Sequence, residues 1–211
     1  MPNATIIQRL AERLYGLPII RNDLRGELVE EIVAVALEPD WQLCSTDWAS
    51  CDLSHSASEL RIQVKQSAAR QTWHKADARP PLPCYSIRQK TGRWEEGDRW
   101  VAEPGRNADI FIFAWHPVTG AEADHRDPNQ WQFFVLPERE LPAQATIALS
   151  RIRKLTEPVS FEALATRVKE IAGRPDLGTT HVKSASTTPA VRPHTTAPTP
   201  RRPAPRRRRR R

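Results

Sequence analysis

The chain has 211 residues, a formal net charge of +7 and 39% hydrophobic residues, a length that suits one domain of ordinary size with a tail. It has no run of about 18 apolar residues, so no membrane span is expected. Arg9 and Glu12 lie where a signal peptide would have its apolar core, which excludes that assignment.

The charge is distributed unevenly along the chain. Residues 173–211 contain ten Arg, one Lys and one Asp, so this segment carries about +10 and the remaining residues about −3. All seven Trp precede residue 132. The sequence therefore predicts a nearly neutral, aromatic-rich folded part and a strongly basic end.

The three cysteines, Cys44, Cys51 and Cys84, are odd in number and have no CxxC spacing. This pattern argues against both a disulfide framework and a zinc site. It favours a reducing compartment, and we expect a cytoplasmic protein.

Hydrophobic periodicity predicts three helices, over about residues 3–15, 22–38 and 160–173. Between the second and third helices, seven short alternating or apolar runs are typical of strands: WQLCST, ASCDLSH, ELRIQVKQS, CYSIRQ, ADIFIFAWH, QWQFFVLP and ATIALSRI. This order predicts an α/β (α+β) fold in which helices flank a mixed β-sheet.

Composition divides the chain into an N-terminal helix (1–19), a core domain (20–172) and a Pro/Thr/Arg-rich tail (173–211). The tail has almost nothing to bury, so we expect it to be disordered. It is either a solubilising segment or an arm that binds nucleic-acid phosphates without sequence specificity. The arginines proposed for that contact are Arg201, Arg202, Arg206, Arg207, Arg208, Arg209, Arg210 and Arg211.

Four residues stand in an order that suits metal-dependent phosphodiester cleavage. Glu30 lies on the second helix, Asp52 begins a strand, and Gln63 and Lys65 share one face of the next strand. If the two strands are adjacent and antiparallel, Asp52 and Gln63 converge. Their oxygen atoms, with Glu30, could hold Mg²⁺ or Mn²⁺, while Lys65 orients the attacking water or stabilises the transition state.

The pattern of Gly26 and Glu30 in GxxxE, Asp52 at a strand start, and QVKQS from Gln63 resembles the PD-(D/E)XK nuclease superfamily. The later blocks NADIFIFAWH and WQFFVLP resemble an uncharacterised bacterial group of that superfamily, and the resemblance spans about residues 20–156. It implies a restriction-endonuclease-like fold and a Mg²⁺-dependent DNA endonuclease. DNA is the expected partner, while RNA binding and homodimer formation stay open.

One departure from the superfamily pattern is Gln63, which stands where an acidic residue is usual. A neutral amide is a poorer ligand for a hard cation than a carboxylate. The alternative is therefore a catalytically inactive protein on a nuclease fold, which binds nucleic acid or a protein partner. In a further hypothesis the arginine tail recruits RNA or an acidic partner independently of any nuclease.

Each site residue also has a simpler interpretation. Asp52 could serve only a turn, while Glu30 and Lys65 could be solvated. Gln71 either touches the nucleic-acid backbone or caps a turn. Trp73 is more typical of a core position than of base stacking. Asp109 is expected to be structural, and His55, His74 and His116 lack metal-ligand spacing.

Overall fold

The computed structural model describes residues 2–44, 50–73, 82–95, 99–102 and 104–177. Its helices and strands, in chain order, are α1 (Pro2–Tyr15), α2 (Asn22–Leu37), β1 (Trp41–Leu43), β2 (Leu53–His55), β3 (Arg61–Ala68), β4 (Cys84–Ser86), β5 (Arg93–Glu95), β6 (Arg99–Val101), β7 (Ile110–His116), β8 (Gln132–Pro137), β9 (Thr146–Ala148), α3 (Leu149–Ile152) and α4 (Phe161–Ala172).

The central sheet has five strands in the order β1-β2-β3-β7-β8. β3 and β7 are parallel, and the other neighbours are antiparallel. A parallel pair needs a long crossover connection, and residues 69–109 provide it. The sheet is therefore mixed, as the sequence predicts.

Apolar residues cover both faces of this sheet. On one face, α2 and α4 pack against alternate residues of β3, β7 and β8, including Ile62, Ile112 and Phe133. On the other face, Phe113 and Phe134 pack against Tyr85 of β4 and its surroundings. The two-stranded ribbon β4-β9, together with α3, supplies this second layer. β7 is buried along its whole length, which explains its continuous apolar sequence.

One predicted strand is partly helical in the structure, and one hairpin has no counterpart in the prediction. The run ATIALSRI was expected to be one strand, but the strand ends at Ala148 and α3 follows. Leu149 and Ile152 are both buried at helical spacing, and a short apolar run does not by itself distinguish strand from helix. The hairpin β5-β6 was not predicted.

α1 forms where predicted, but Ile6, Ile7 and Leu10 of its apolar face stay exposed. Ile6 and Ile7 are 64% and 67% exposed. The segment after α1 contacts the rest of the domain at two points. Ile20 is buried, with 1% exposure. The guanidinium of Arg126 donates to the carbonyl of Gly16 at 2.8 Å. None of the helices in the described part of the chain is long and apolar enough to cross a membrane.

The start of the predicted tail lies against the core domain. Leu177 packs against the apolar layer of α2 and α4. Arg174 pairs with Glu140 at 3.0 Å, and Arg139 pairs with Asp176 at 2.5 Å. Residues 178–211, including the eight arginines proposed for nucleic-acid contact, lie outside the described residues.

Candidate active site

Asp52 lies in a bend directly before β2 and is fixed from several sides. Its backbone N–H donates to the carbonyl of Ile62 at 2.9 Å, and its carbonyl accepts from the N–H of Cys44 at 2.9 Å. Its carboxylate accepts the backbone N–H of Val64 at 2.6 Å and a side-chain N–H of Gln63. The structure thus brings Asp52 and Gln63 together across adjacent antiparallel strands.

The orientation of Gln63 bears on its predicted role as a metal ligand. Its amide nitrogen donates to the Asp52 carboxylate, so its amide oxygen faces elsewhere. In this arrangement Gln63 stabilises the ionised carboxylate of Asp52 by a hydrogen bond, which opposes the rise of its pKa. The amide would have to turn about its last torsion to present oxygen beside that carboxylate.

Lys65 follows Gln63 on the same face of β3 and is largely buried. Burial lowers the pKa of Lys65, while the negative charges of Asp52 and Glu30 raise it in part. The pKa of Asp52 is raised by burial, and the charge of Lys65 opposes this shift. The charges of Asp52 and Lys65 therefore act on each other's pKa.

Glu30 joins this cluster from the helix α2. Burial, Asp52 and Glu27 raise the pKa of Glu30 to about 7, and Lys65 acts in the opposite direction. A glutamate that titrates near neutrality next to a second carboxylate is unusual, since an isolated glutamate titrates well below this. The negative charge of Asp52 therefore opposes the ionisation of Glu30 in the folded protein.

The side chains at this cluster carry the oxygen atoms that a divalent cation prefers as ligands. Mg²⁺ and Mn²⁺ prefer oxygen ligands, and Glu30 and Asp52 are two partly desolvated carboxylates whose mutual repulsion a cation would relieve. Within the described ranges, no group of three or more His, Cys, Asp or Glu side chains is placed to hold a metal ion. A cation here would therefore depend on the two carboxylates, on Gln63 and on water.

Lys90 is a charged residue at this cluster that the sequence did not indicate. Its positive charge lowers the pKa of both Asp52 and Lys65. Its side chain is exposed, and its backbone is paired with Gly105 through hydrogen bonds of 2.8 and 2.9 Å. Lys90 follows β4 by four residues and has no motif around it, so only the fold reveals its place.

Gln71 is buried, and both ends of its amide are used within the fold. Its oxygen accepts from Arg25 at 3.0 Å, and its nitrogen donates to the carbonyl of Ala68 at 2.7 Å. This geometry agrees with the interpretation in which Gln71 caps a turn. A contact with nucleic acid would require its 7% exposed side chain to leave these partners.

Arg25 is the centre of that buried network. Its side chain is 0% exposed, and it donates to the side-chain oxygens of Asn22 at 2.7 Å and Gln66 at 2.7 Å as well as to Gln71. Burial lowers its pKa to about 10. The network joins α2, which carries Glu30, to β3, which carries Lys65.

The remaining candidates lie apart from this chemistry. Asp109 accepts the backbone N–H of Arg61 at 2.8 Å, which is the structural role expected for it. Trp73, for which a core position was favoured, is 64% exposed. His116 is buried against His125, whereas His55 accepts hydrogen bonds from its neighbours in the turn after β2. His74 lies outside the described residues.

No protein-family model matches the chain, and no curated protein matches it. Among solved structures, the chain is similar to that of a bacterial homing endonuclease, I-Ssp6803I, with 17% sequence identity and a TM-score of 0.37. The match covers 71% of this chain and 96% of the other. At this distance the similarity does not establish a shared fold or function.

Proposed function

We propose that the protein is a Mg²⁺- or Mn²⁺-dependent endonuclease that hydrolyses DNA phosphodiester bonds, as the resemblance to the PD-(D/E)XK superfamily implies. The observation that supports it is the electrostatic coupling of three side chains: the charges of Asp52 and Lys65 act on the pKa of Glu30, and those of Asp52 and Glu30 act on the pKa of Lys65. These are the residues that the sequence pattern selects for this chemistry.

In this proposal each side chain of the site has a distinct task. Asp52 and Glu30 supply the carboxylate oxygens of the metal site, and Asp52 is held ready by the N–H of Val64. A bound cation would polarise the phosphate and lower the pKa of its water. Lys65 holds a proton at Nζ, with which it orients the attacking water and stabilises the negative charge of the transition state.

Glu30 makes metal binding dependent on pH. With a pKa of about 7, it is only partly ionised at neutrality when no cation is bound. Because the metal takes the ionised form, affinity should rise as the pH passes upward through 7. This dependence is a property of the metal site that can be measured without any substrate.

The decisive experiment is nicking and linearisation of supercoiled plasmid with Mg²⁺ and with Mn²⁺. Asp52→Ala and Lys65→Ala should each lower the rate by about 100-fold or more, because each removes a group that acts on the reacting phosphate. The exposed Lys154→Ala is the matched control and should cleave normally. Cleavage that persists in the Lys65 variant comes from a contaminant or another site and counts against the proposal.

A second candidate function is nucleic-acid binding without catalysis. The observation that favours it is Gln63, whose amide is turned toward Asp52 and replaces the usual acidic ligand. Calorimetric titration with Mn²⁺ separates the two proposals. Tight binding that is lost in Asp52→Ala supports the nuclease, whereas DNA binding with no measurable Mn²⁺ binding supports the inactive protein.

We propose further that the arginine-rich end raises affinity for nucleic acid, with DNA as the expected partner and RNA as the alternative. The chain should be truncated after Leu177, because residues 174–177 contact the core domain. Loss of the arginines should weaken binding and flatten its salt dependence. Unchanged affinity at about 0.15 M salt would exclude this role for the tail.

A further inference from the structure

Two of the three cysteines lie side by side next to the candidate site. The sulfur atoms of Cys44 and Cys51 are 3.4 Å apart, and both side chains are free thiols. The sulfur atoms of a disulfide are separated by about 2.05 Å. A movement of little more than about 1 Å would therefore bring these two sulfurs to bonding distance.

The antiparallel pairing of β1 and β2 produces this contact. Leu43 lies opposite Leu53, and the N–H of Cys44 donates to the carbonyl of Asp52 at 2.9 Å. Cys51 is the residue before Asp52 and lies in a bend, where the strand alternation is broken and its side chain can turn toward Cys44. The sheet itself, and not a chance approach of two loops, therefore places the thiols together.

The two thiols differ in accessibility. Cys51 is 6% exposed. Cys44 is only partly buried. Because Cys44 is the more accessible thiol, it is the one that an external reagent reaches, and Cys51, whose sulfur is 3.4 Å away, is placed to react next.

We propose that Cys44 and Cys51 form a modification site, at which a low-molecular-weight disulfide such as glutathione disulfide converts the dithiol reversibly into an intramolecular disulfide. The Cys44 thiolate attacks one sulfur of the oxidant and releases one thiolate. Cys51 then loses its proton and attacks the mixed disulfide, releasing the second thiolate. The protein loses two protons and two electrons, and the oxidant becomes two thiols.

Oxidation of these two cysteines would affect the backbone next to the candidate site. The new bond would connect the end of β1 to the residue before Asp52, and so would restrain the backbone on both sides of the Asp52 carbonyl. Cys84, on β4 and exposed, is the internal reference. Formation of this disulfide does not require nuclease activity, so its presence or absence does not test the proposed function.

The test is equilibration of the full chain in anaerobic buffers with defined ratios of reduced to oxidised glutathione, followed by alkylation and peptide mass analysis. Trypsin leaves Cys44 and Cys51 together in residues 26–61, and Cys84 lies on another peptide. A disulfide within residues 26–61 lowers the mass by two hydrogen atoms and blocks alkylation there. The variants are Cys84→Ser, which should behave as wild type, and Cys51→Ser, which should stop at a glutathione adduct on Cys44.

The folded chain should form this disulfide at a glutathione ratio at least about tenfold more reducing than the same chain unfolded in urea, because the fold holds the sulfurs in contact. Cys84 should remain alkylated or carry only an adduct. Equal oxidation in the folded and unfolded chains, or alkylation of all three cysteines to the same extent, would overturn the proposal.

Discussion

Replacing Glu30 by glutamine should stabilise the metal-free protein at alkaline pH. The pKa of Glu30 rises from the ordinary 4.5 to about 7 in the folded chain, mainly through burial and the negative charge of Asp52. The folded state therefore prefers protonated Glu30, and ionisation opposes folding. Glutamine keeps the size and the hydrogen-bonding capacity of the side chain but carries no charge.

The magnitude follows from the two pKa values. A glutamate that titrates at 4.5 when unfolded and about 7 when folded lowers the free energy of unfolding by at most about 3 kcal/mol once it is ionised in both states. Because Glu30 is partly exposed, solvent screening reduces this to about 1–2 kcal/mol. The loss is absent below about pH 4.5, grows as the pH rises, and is complete above about pH 7.

The assay is urea unfolding at about pH 5 and about pH 8 in the presence of a chelator. The Glu30→Gln variant should lose about 1–2 kcal/mol less than wild type between these two pH values. Glu31→Gln, an exposed change on the same helix, is the matched control and should follow wild type. If the Glu30 and Glu31 variants showed the same pH dependence, the electrostatic reasoning about the site would be refuted.

Three further changes test other parts of the structure. Lys90→Ala should tighten Mn²⁺ binding by about two- to fivefold in calorimetry, because a positive charge that acts on the site opposes the binding of a cation. Lys154→Ala should leave the affinity for Mn²⁺ unchanged. Equal Mn²⁺ affinities of the Lys90→Ala variant and wild type would contradict this placement of Lys90. Arg25→Met should lower the free energy of unfolding in urea by about 2–4 kcal/mol, since it leaves the buried oxygen of Gln71 and the partly buried oxygens of Asn22 and Gln66 without their donor. An unchanged midpoint would show that the network is dispensable. Gly26→Ala should raise the free energy of unfolding by about 0.5–1 kcal/mol, because a Cβ there meets nothing within 4 Å; destabilisation would indicate a hidden contact.

Local patterns predicted most of the elements, because most of them have clear periodicity and ends. The helix over 22–38 is observed at Asn22–Leu37, and the apolar run of β7 is a buried central strand. The hairpin β5-β6 was missed, although Trp94 and Trp100 lie opposite each other in its two strands. Its strands have three residues each, too few for alternation to be visible.

In the candidate site, too, the sequence predicted some residues and not others. Asp52 directly precedes β2, and Gln63 lies on the adjacent β3, so a strand pattern was enough to predict that these two side chains meet. Lys90 reaches the site through the crossover between β3 and β7, and no sequence pattern encodes that path. The burial of Gln71 depends on Arg25, which lies 46 residues away, and a motif does not reveal such a partner.

The parallel pairing of β3 with β7 has a consequence for the order of folding. Its partners Ile62 and Ile110 are far apart in the chain, so closing this central contact restricts a long segment and should be slow. By contrast, α2, β1, β2 and β3 follow one another in the chain and, with the bend before β2, hold Glu30, Asp52 and Lys65. The cluster of charges can therefore begin to assemble from neighbouring elements, and completion of the sheet buries it afterwards.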